Sequence, residues 1–166
     1  VQPSGGTVAL DGQPLGGLTP DRICHRGVGF VPEDRRIFPG LSVEENLKLG
    51  LMQRRDRSRP GDRQAVQRIY NRFPRLAERR RQIGTTLSGG EQQMLAMARV
   101  MIGEPRLVLI DEPSEGLAPM IVADIFAIIS EMKAASMIVL LVEQNLGSAL
   151  AVSDRFYAVE RGAVVF

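Results

Sequence analysis

The sequence predicts an α/β domain with a mostly parallel sheet and an inserted helical segment. Three observations carry this. Short apolar runs at 28–31, 106–110 and 137–142 are bounded by prolines, glycines or acids and read as buried strands. Ile121, Ile125, Ile128, Ile129 and Met132 recur at helical spacing between the last two runs, a stripe that belongs in the core. A strand, helix, strand order implies βαβ units and parallel pairing. Between the first and second runs, residues 41–87 turn helical and arginine-rich.

The elements follow in order. Residues 7–10 alternate enough for a strand, and Asp11-Gly12 is a turn signal. Residues 20–26 read as a short helix, and Pro32 ends the strand at 28–31. Ser42-x-x-Glu45 is a capping box, Pro60-Gly61 is a break, and helices are expected at 65–73 and 76–81. A second capping box, Ser88-x-x-Glu91, precedes the apolar positions Met94, Leu95, Ala98, Met101 and Ile102. Pro105 and Pro113 flank the strand at 106–110, a helix is expected at 120–135, and a strand at 137–142. Two apolar runs, 156–159 and 163–166, flank Glu160-Arg161-Gly162, a hairpin signal. The expected organisation is one domain over 1–166, with 1–40 and 88–166 forming the α/β core and about 41–87 a helical subdomain.

Composition narrows the function classes. A chain of 166 residues with 44% hydrophobic and 24% charged residues is long enough for one real core. The formal net charge of +2 is too small to argue for nucleic acid. Cys24, the single cysteine, rules out an internal disulfide. No apolar stretch reaches the ~20 residues that a membrane helix needs. Arginines cluster at Arg54, Arg55, Arg57 and Arg59 and at Arg79, Arg80 and Arg81. They form either a solvated helical surface or a contact with lipid headgroups or a membrane partner. His25, the only histidine, lies in a basic stretch far from the acidic pair below and reads as a surface residue.

Two segments carry chemistry. In Leu87-Ser88-Gly89-Gly90-Glu91-Gln92-Gln93, Ser88 and Glu91 can cap a helix while the glycines clear its first turn of side chains. Free amides and the positive helix end then favour an anion such as phosphate. The alternative is an ordinary capped helix with a glycine-rich entry. In Leu107-Val108-Leu109-Ile110-Asp111-Glu112-Pro113, two carboxylates stand at the C-terminal end of a strand, where open α/β sheets place ligands. Adjacent strand residues face opposite ways, so the two acids should differ in role. One suits a magnesium ion, directly or through water, and the other can polarise an attacking water. A solvated turn is the competing reading.

Together these residues resemble the ATP-binding cassette (ABC) ATPases, which belong to the P-loop NTPase-like folds. Leu87 to Gln93 matches the family's signature motif, Leu107 to Glu112 its Walker B motif with the catalytic glutamate, and Ser114-Glu115-Gly116-Leu117 its D-loop. The segments 31–39, 41–47, 111–119 and 141–145 resemble one branch, the smaller ATP-binding subunit of branched-chain amino acid importers. Urea importer ATPases are near neighbours of that branch. The resemblance implies ATP and Mg2+ as cofactors, with Glu112 as general base, Gln144 on the switch loop, and Asp111 as the magnesium-side ligand. It places Ser88, Gly89, Gly90 and Glu91 against the nucleotide of a partner subunit, and Glu33 near magnesium and the membrane-coupling surface. Glu33 stands where the family has glutamine and Gln144 where it has histidine. Gln144 can donate a hydrogen bond but cannot carry a proton as histidine would.

No Gly-x-x-x-x-Gly-Lys-Ser/Thr occurs in the chain. The family places that phosphate-cradling loop ahead of the segment that Val1-Gln2-Pro3-Ser4-Gly5-Gly6 resembles. The expectation is therefore a partial cassette that does not bind ATP alone in the usual way. The implied partners are transmembrane permease subunits and a second ABC ATPase subunit, with peripheral attachment at the cytoplasmic face of the bacterial inner membrane. The rival readings are a soluble ABC ATPase of translation or DNA repair and a non-catalytic remnant.

Overall fold

The computed structural model describes residues 5–53 and 61–166. Residues 1–4, Arg54, Arg55, Arg57, Arg59 and Pro60 lie outside them. At the centre is a three-stranded sheet of β3 (Val28–Val31), β4 (Leu107–Asp111) and β5 (Ile138–Val142) in that spatial order. Both pairings are parallel, with Val28 opposite Leu107 and Leu107 opposite Ile138. The helix between β4 and β5 is α6 (Pro119–Ala134), and its stripe is buried as its spacing requires: Ile125, Ile128, Ile129 and Met132 are all at most 2% exposed.

Register fixes which residues share a face. Gly29, Val31, Val108, Ile110, Val139 and Leu141 lie on one face, and Val31, Val108 and Ile110 are fully buried there. α5 (Gly89–Met101) packs on this face so closely that a Cβ on Gly29 would lie 2.4 Å from Val100 Cγ1. The opposite face carries Phe30, Ile138, Leu140 and Val142, each about half exposed.

The inserted segment holds α2 (Val43–Leu51), α3 (Asp62–Arg72) and α4 (Pro74–Glu78), then a 3-10 turn at Gly84–Thr86. The capping box of α2 forms as its spacing demands: Ser42 Oγ accepts from the amide of Glu45, and Glu45 reaches back to the amide of Ser42. α2 crosses α5 at Gly50, whose added Cβ would stand 2.0 Å from the carbonyl oxygen of Arg99. Leu47, Leu76, Leu95, Met97, Ile110 and Ile129 belong to one cluster of buried side chains that joins the inserted helices to the sheet.

Several boundaries differ from the sequence reading. The helix expected over 76–81 is α4 and ends at Glu78, because the chain then turns to serve α2. The carbonyls of Arg80 and Gln82 accept from the amides of Glu44 and Val43, two of the amides left free at a helix start. The first strand shortens to β1 (Ala9–Leu10), which pairs with an unforeseen β2 (Gln13–Pro14) around Asp11 and Gly12, both left-handed, and the helix expected over 20–26 is α1 (Pro20–His25). The final hairpin contracts to β6 (Val159–Glu160) and β7 (Ala163–Val164). A helix missed in the sequence, α7 (Leu146–Val152), starts where Asn145 accepts from the amide of Ser148. Its seven residues span too few turns for a helical period to stand out, and none of them is buried. Among the described residues no helix is long and apolar enough to cross a membrane.

Candidate functional site

The start of α5 is the first half of the site. Ser88 is exposed, and its Oγ accepts from the amide of Glu91 at 3.4 Å while the Glu91 carboxylate receives the amide of Ser88 at 3.0 Å. Glu91 also meets Arg79 at 2.9 Å. Burial by itself would raise the pKa of Glu91, but the Ser88 hydrogen bonds and the charges of Arg79 and Arg75 hold it below the ordinary value. Both oxygens of Glu91 are thus engaged within the chain, and its role in this structure is to shape the helix start. One member of the Arg79, Arg80 and Arg81 cluster is accordingly bound to the signature segment.

The glycines have reasons that the sequence did not show. A Cβ on Gly90 would lie 2.8 Å from Ile121 Cγ2, so α6 occupies the space that a side chain would need. A Cβ on Gly89 would lie 3.2 Å from Arg35 Nη1 and 3.5 Å from Leu117 Cδ2. Close packing inside the chain constrains Gly90 against Ile121, while Gly89 lies under the end of the Arg35 side chain.

The second half lies at the C-terminal edge of the sheet. Asp111 ends β4 opposite Val142 of β5, on the same face as Leu107 and Leu109. Glu112 leaves the strand with φ at +42°, a left-handed conformation in which an ordinary side chain is strained. Its amide donates to the carbonyl of Val142 at 2.9 Å, tying it to the loop that carries Gln144. Gln144 Nε2 then donates to Glu112 Oε2 at 2.7 Å across 32 residues of sequence. Glu112 Oε1 receives no hydrogen bond among the described residues.

Two side chains that the sequence reading gave no such role hold this edge together. Ser114 Oγ donates to Glu143 Oε1 at 2.7 Å, and the same oxygen receives the amide of Asn145 at 3.1 Å. Glu143 therefore locks the turn after Glu112 to the loop bearing Gln144. The clue was present in the serine and glutamate of the two motifs, but nothing local said that they meet.

Glu33 follows β3 and joins the acids. Its pKa is raised first by a hydrogen bond with Glu115, then by the charge of Glu115, by burial, and by the charges of Glu112 and Asp111. Four carboxylates at one edge repel one another, so the edge favours a cation. Among the described residues no group of three or more His, Cys, Asp or Glu can hold a metal by itself. That donor set fits Mg2+, which is commonly held by one or two carboxylates with water and substrate phosphates completing its shell. Asp111 and Glu33 are the residues available to it. No hydrogen bond joins Ser88, Gly89 or Gly90 to Asp111 or Glu112 among the described residues. His25 is exposed, and its Nδ1 lies 2.7 Å from the carbonyl of Asp21, on the surface as expected.

Known proteins are similar to this chain. A family profile described as ABC transporter matches residues 1–115. BraG of Pseudomonas aeruginosa, a high-affinity branched-chain amino acid transport ATP-binding protein, is 43% identical over 166 residues, spanning 99% of this chain and 69% of BraG. The probable branched-chain amino acid transport ATP-binding protein LivF of Archaeoglobus fulgidus is 35% identical, spanning 97% of this chain and 67% of LivF. LptB of Haemophilus influenzae, a lipopolysaccharide export system ATP-binding protein, is 31% identical over 99% of this chain and 68% of its own length. A crystal structure of the ADP conformation of an ATP-binding cassette of an ABC transporter superposes with a TM-score of 0.81 at 22% identity, over 99% of this chain and 69% of that one, and so shares the fold. By fold, by sequence and by the motifs at its two half-sites, the chain belongs to the ABC transporter family, among the ATP-binding ATPases.

Proposed function

We propose that this chain is the ATP-binding and ATP-hydrolysing subunit of an importer for branched-chain amino acids. The hydrogen bond from Gln144 to Glu112 is the observation that supports the chemistry best. It holds one carboxylate oxygen and leaves the other to accept a proton from water attacking the γ-phosphate. The higher identity to BraG than to LptB favours amino acids over a lipid as the solute. Phosphoryl transfer to water depends mainly on positioning and electrostatics, which is what these residues supply.

In this reading Glu112 is the general base and Gln144 orients it. Asp111 and Glu33 would hold the magnesium that accompanies ATP, and it would neutralise phosphate charge. Ser88, Gly89 and Gly90 present the positive end of α5 to the γ-phosphate of a nucleotide held by a second ATP-binding subunit. Asp111 and Glu112 serve the other nucleotide of the pair. Closure of the two subunits on ATP biases a two-state element in the transmembrane permease subunits. The assembly sits at the cytoplasmic face of the inner membrane, held there by the permease.

The test uses the ATPase assembled with its membrane subunits. Glu112→Gln should abolish ATP turnover and leucine uptake while ATP binding persists. Robust turnover by this variant would remove Glu112 from the base role. Turnover stimulated by a different solute would correct the substrate.

A further inference from the structure

Arg35 has no acidic partner among the described residues. Arg35 and Arg36 both adopt left-handed backbone, with φ of +59° and +40°. Such strain persists only where the surroundings enforce it. The enforcing group is Arg99 of α5, which is 9% exposed. Its Nη1 donates to the carbonyl of Arg36 at 2.8 Å, its Nη2 donates to the carbonyl of Arg35 at 3.2 Å, and its guanidinium lies 4.9 Å from the centre of the Phe38 ring. Asn46, fully buried on α2, fixes the far end of the loop through the amide and carbonyl of Phe38.

The clamped backbone turns the Arg35 side chain back over the start of α5. Its Nη1 lies 3.2 Å from the Cβ position of Gly89, beside Leu117. Its Nε is buried and has no hydrogen-bond partner among the described residues. Four carboxylates, Glu33, Asp111, Glu112 and Glu115, gather at the nearby sheet edge, yet none forms an ion pair with Arg35. A guanidinium of intermediate exposure with no acidic partner among the described residues leaves its outer nitrogens able to receive an anion. Its planar donor fork suits phosphate.

We infer that Arg35 is a further binding residue for the γ-phosphate that the start of α5 receives from the second subunit's nucleotide. This rests on the role proposed above for Ser88, Gly89 and Gly90. Arg35 also begins the loop that runs through Ile37 and Phe38, so γ-phosphate contact is felt directly by the segment that follows Glu33. A guanidinium there distinguishes ATP from ADP, because only ATP carries the third phosphate.

The experiment uses the assembled ATPase in a Glu112→Gln background, which prevents hydrolysis, with ATP and ADP affinities measured by equilibrium binding. Arg35→Met keeps the apolar stem over Gly89 and removes the charge. It should weaken ATP binding about tenfold, the order expected for one charge-assisted hydrogen bond, and leave ADP binding unchanged. Arg35→Lys should fall between. Ser88→Arg, which blocks the start of α5, serves as the reference. If Arg35→Met retains parental ATP affinity while Ser88→Arg loses it, the signature site stands and Arg35 has no part in it. Equal losses for ATP and ADP in Arg35→Met would make Arg35 a structural residue and overturn the inference. If Ser88→Arg keeps the preference for ATP over ADP, the assignment of the signature site fails and Arg35 falls with it.

Discussion

Glu91 illustrates how a single residue ties the site to stability. Its carboxylate caps α5 through Ser88 and pairs with Arg79. Its folded pKa is lowered, so the stability it contributes is present above its unfolded value and is lost as pH falls through the folded one. That window lies below the ordinary glutamate value of 4.5. Glu91→Gln should be less stable than the parent at pH 7, and the gap should narrow between pH 5 and 3 (about those limits). Urea midpoints across that range measure it, and a gap independent of pH would refute the charged cap. Ser88, Glu91, Asp111 and Glu112 were all legible in the sequence, because a three-residue spacing and a strand end are local signals. Arg35 and Glu143 were not. Their partners, Gly89 and Ser114, come from other elements, and only the packing of α5 and the β4 edge brings them together.

Elements were legible where their period matched their burial. The α6 stripe and the three strands of the sheet fall where the spacing puts them, since one face of each had to be apolar. The missed α7 buries no residue, and α4 stops early because its following carbonyls serve α2. Gly50 shows what spacing cannot reveal. A glycine inside a helix costs about 1 kcal/mol against alanine, so helix propensity alone predicts that Gly50→Ala stabilises α2. The added methyl, however, would stand 2.0 Å from the Arg99 carbonyl oxygen, a backbone atom that cannot turn aside. α2 would have to move off α5, and Arg99 would move with its clamp on Arg35 and Arg36. Overpacking of this kind costs about 1–3 kcal/mol and should outweigh the propensity gain. Chemical unfolding of Gly50→Ala decides between the two terms, and a variant as stable as the parent would show that the crossing yields.

At the scale of the whole molecule, one face of the sheet is packed by α5 and α6, and the other is left largely open among the described residues. Phe30, Ile138, Leu140 and Val142 are 52%, 54%, 54% and 49% exposed on the other. Val28 adds nothing to this surface, being 8% exposed, so the open region runs along β5 and reaches Val142, opposite Asp111. Contiguous apolar surface of this kind, on strands with period-2 alternation, drives association and dye binding. The 166-residue polypeptide on its own should therefore bind a hydrophobic dye in its folded state and self-associate as concentration rises. Leu140→Thr combined with Val142→Thr places β-branched, strand-favouring residues at both positions while removing two of the exposed apolar side chains. Both positions are on the open face, so helix packing on the other face is untouched. The double variant should lower dye fluorescence and shift sedimentation toward monomer, with helical circular dichroism unchanged. Dye binding and association equal to those of the parent would show that the open sheet face is not the surface responsible.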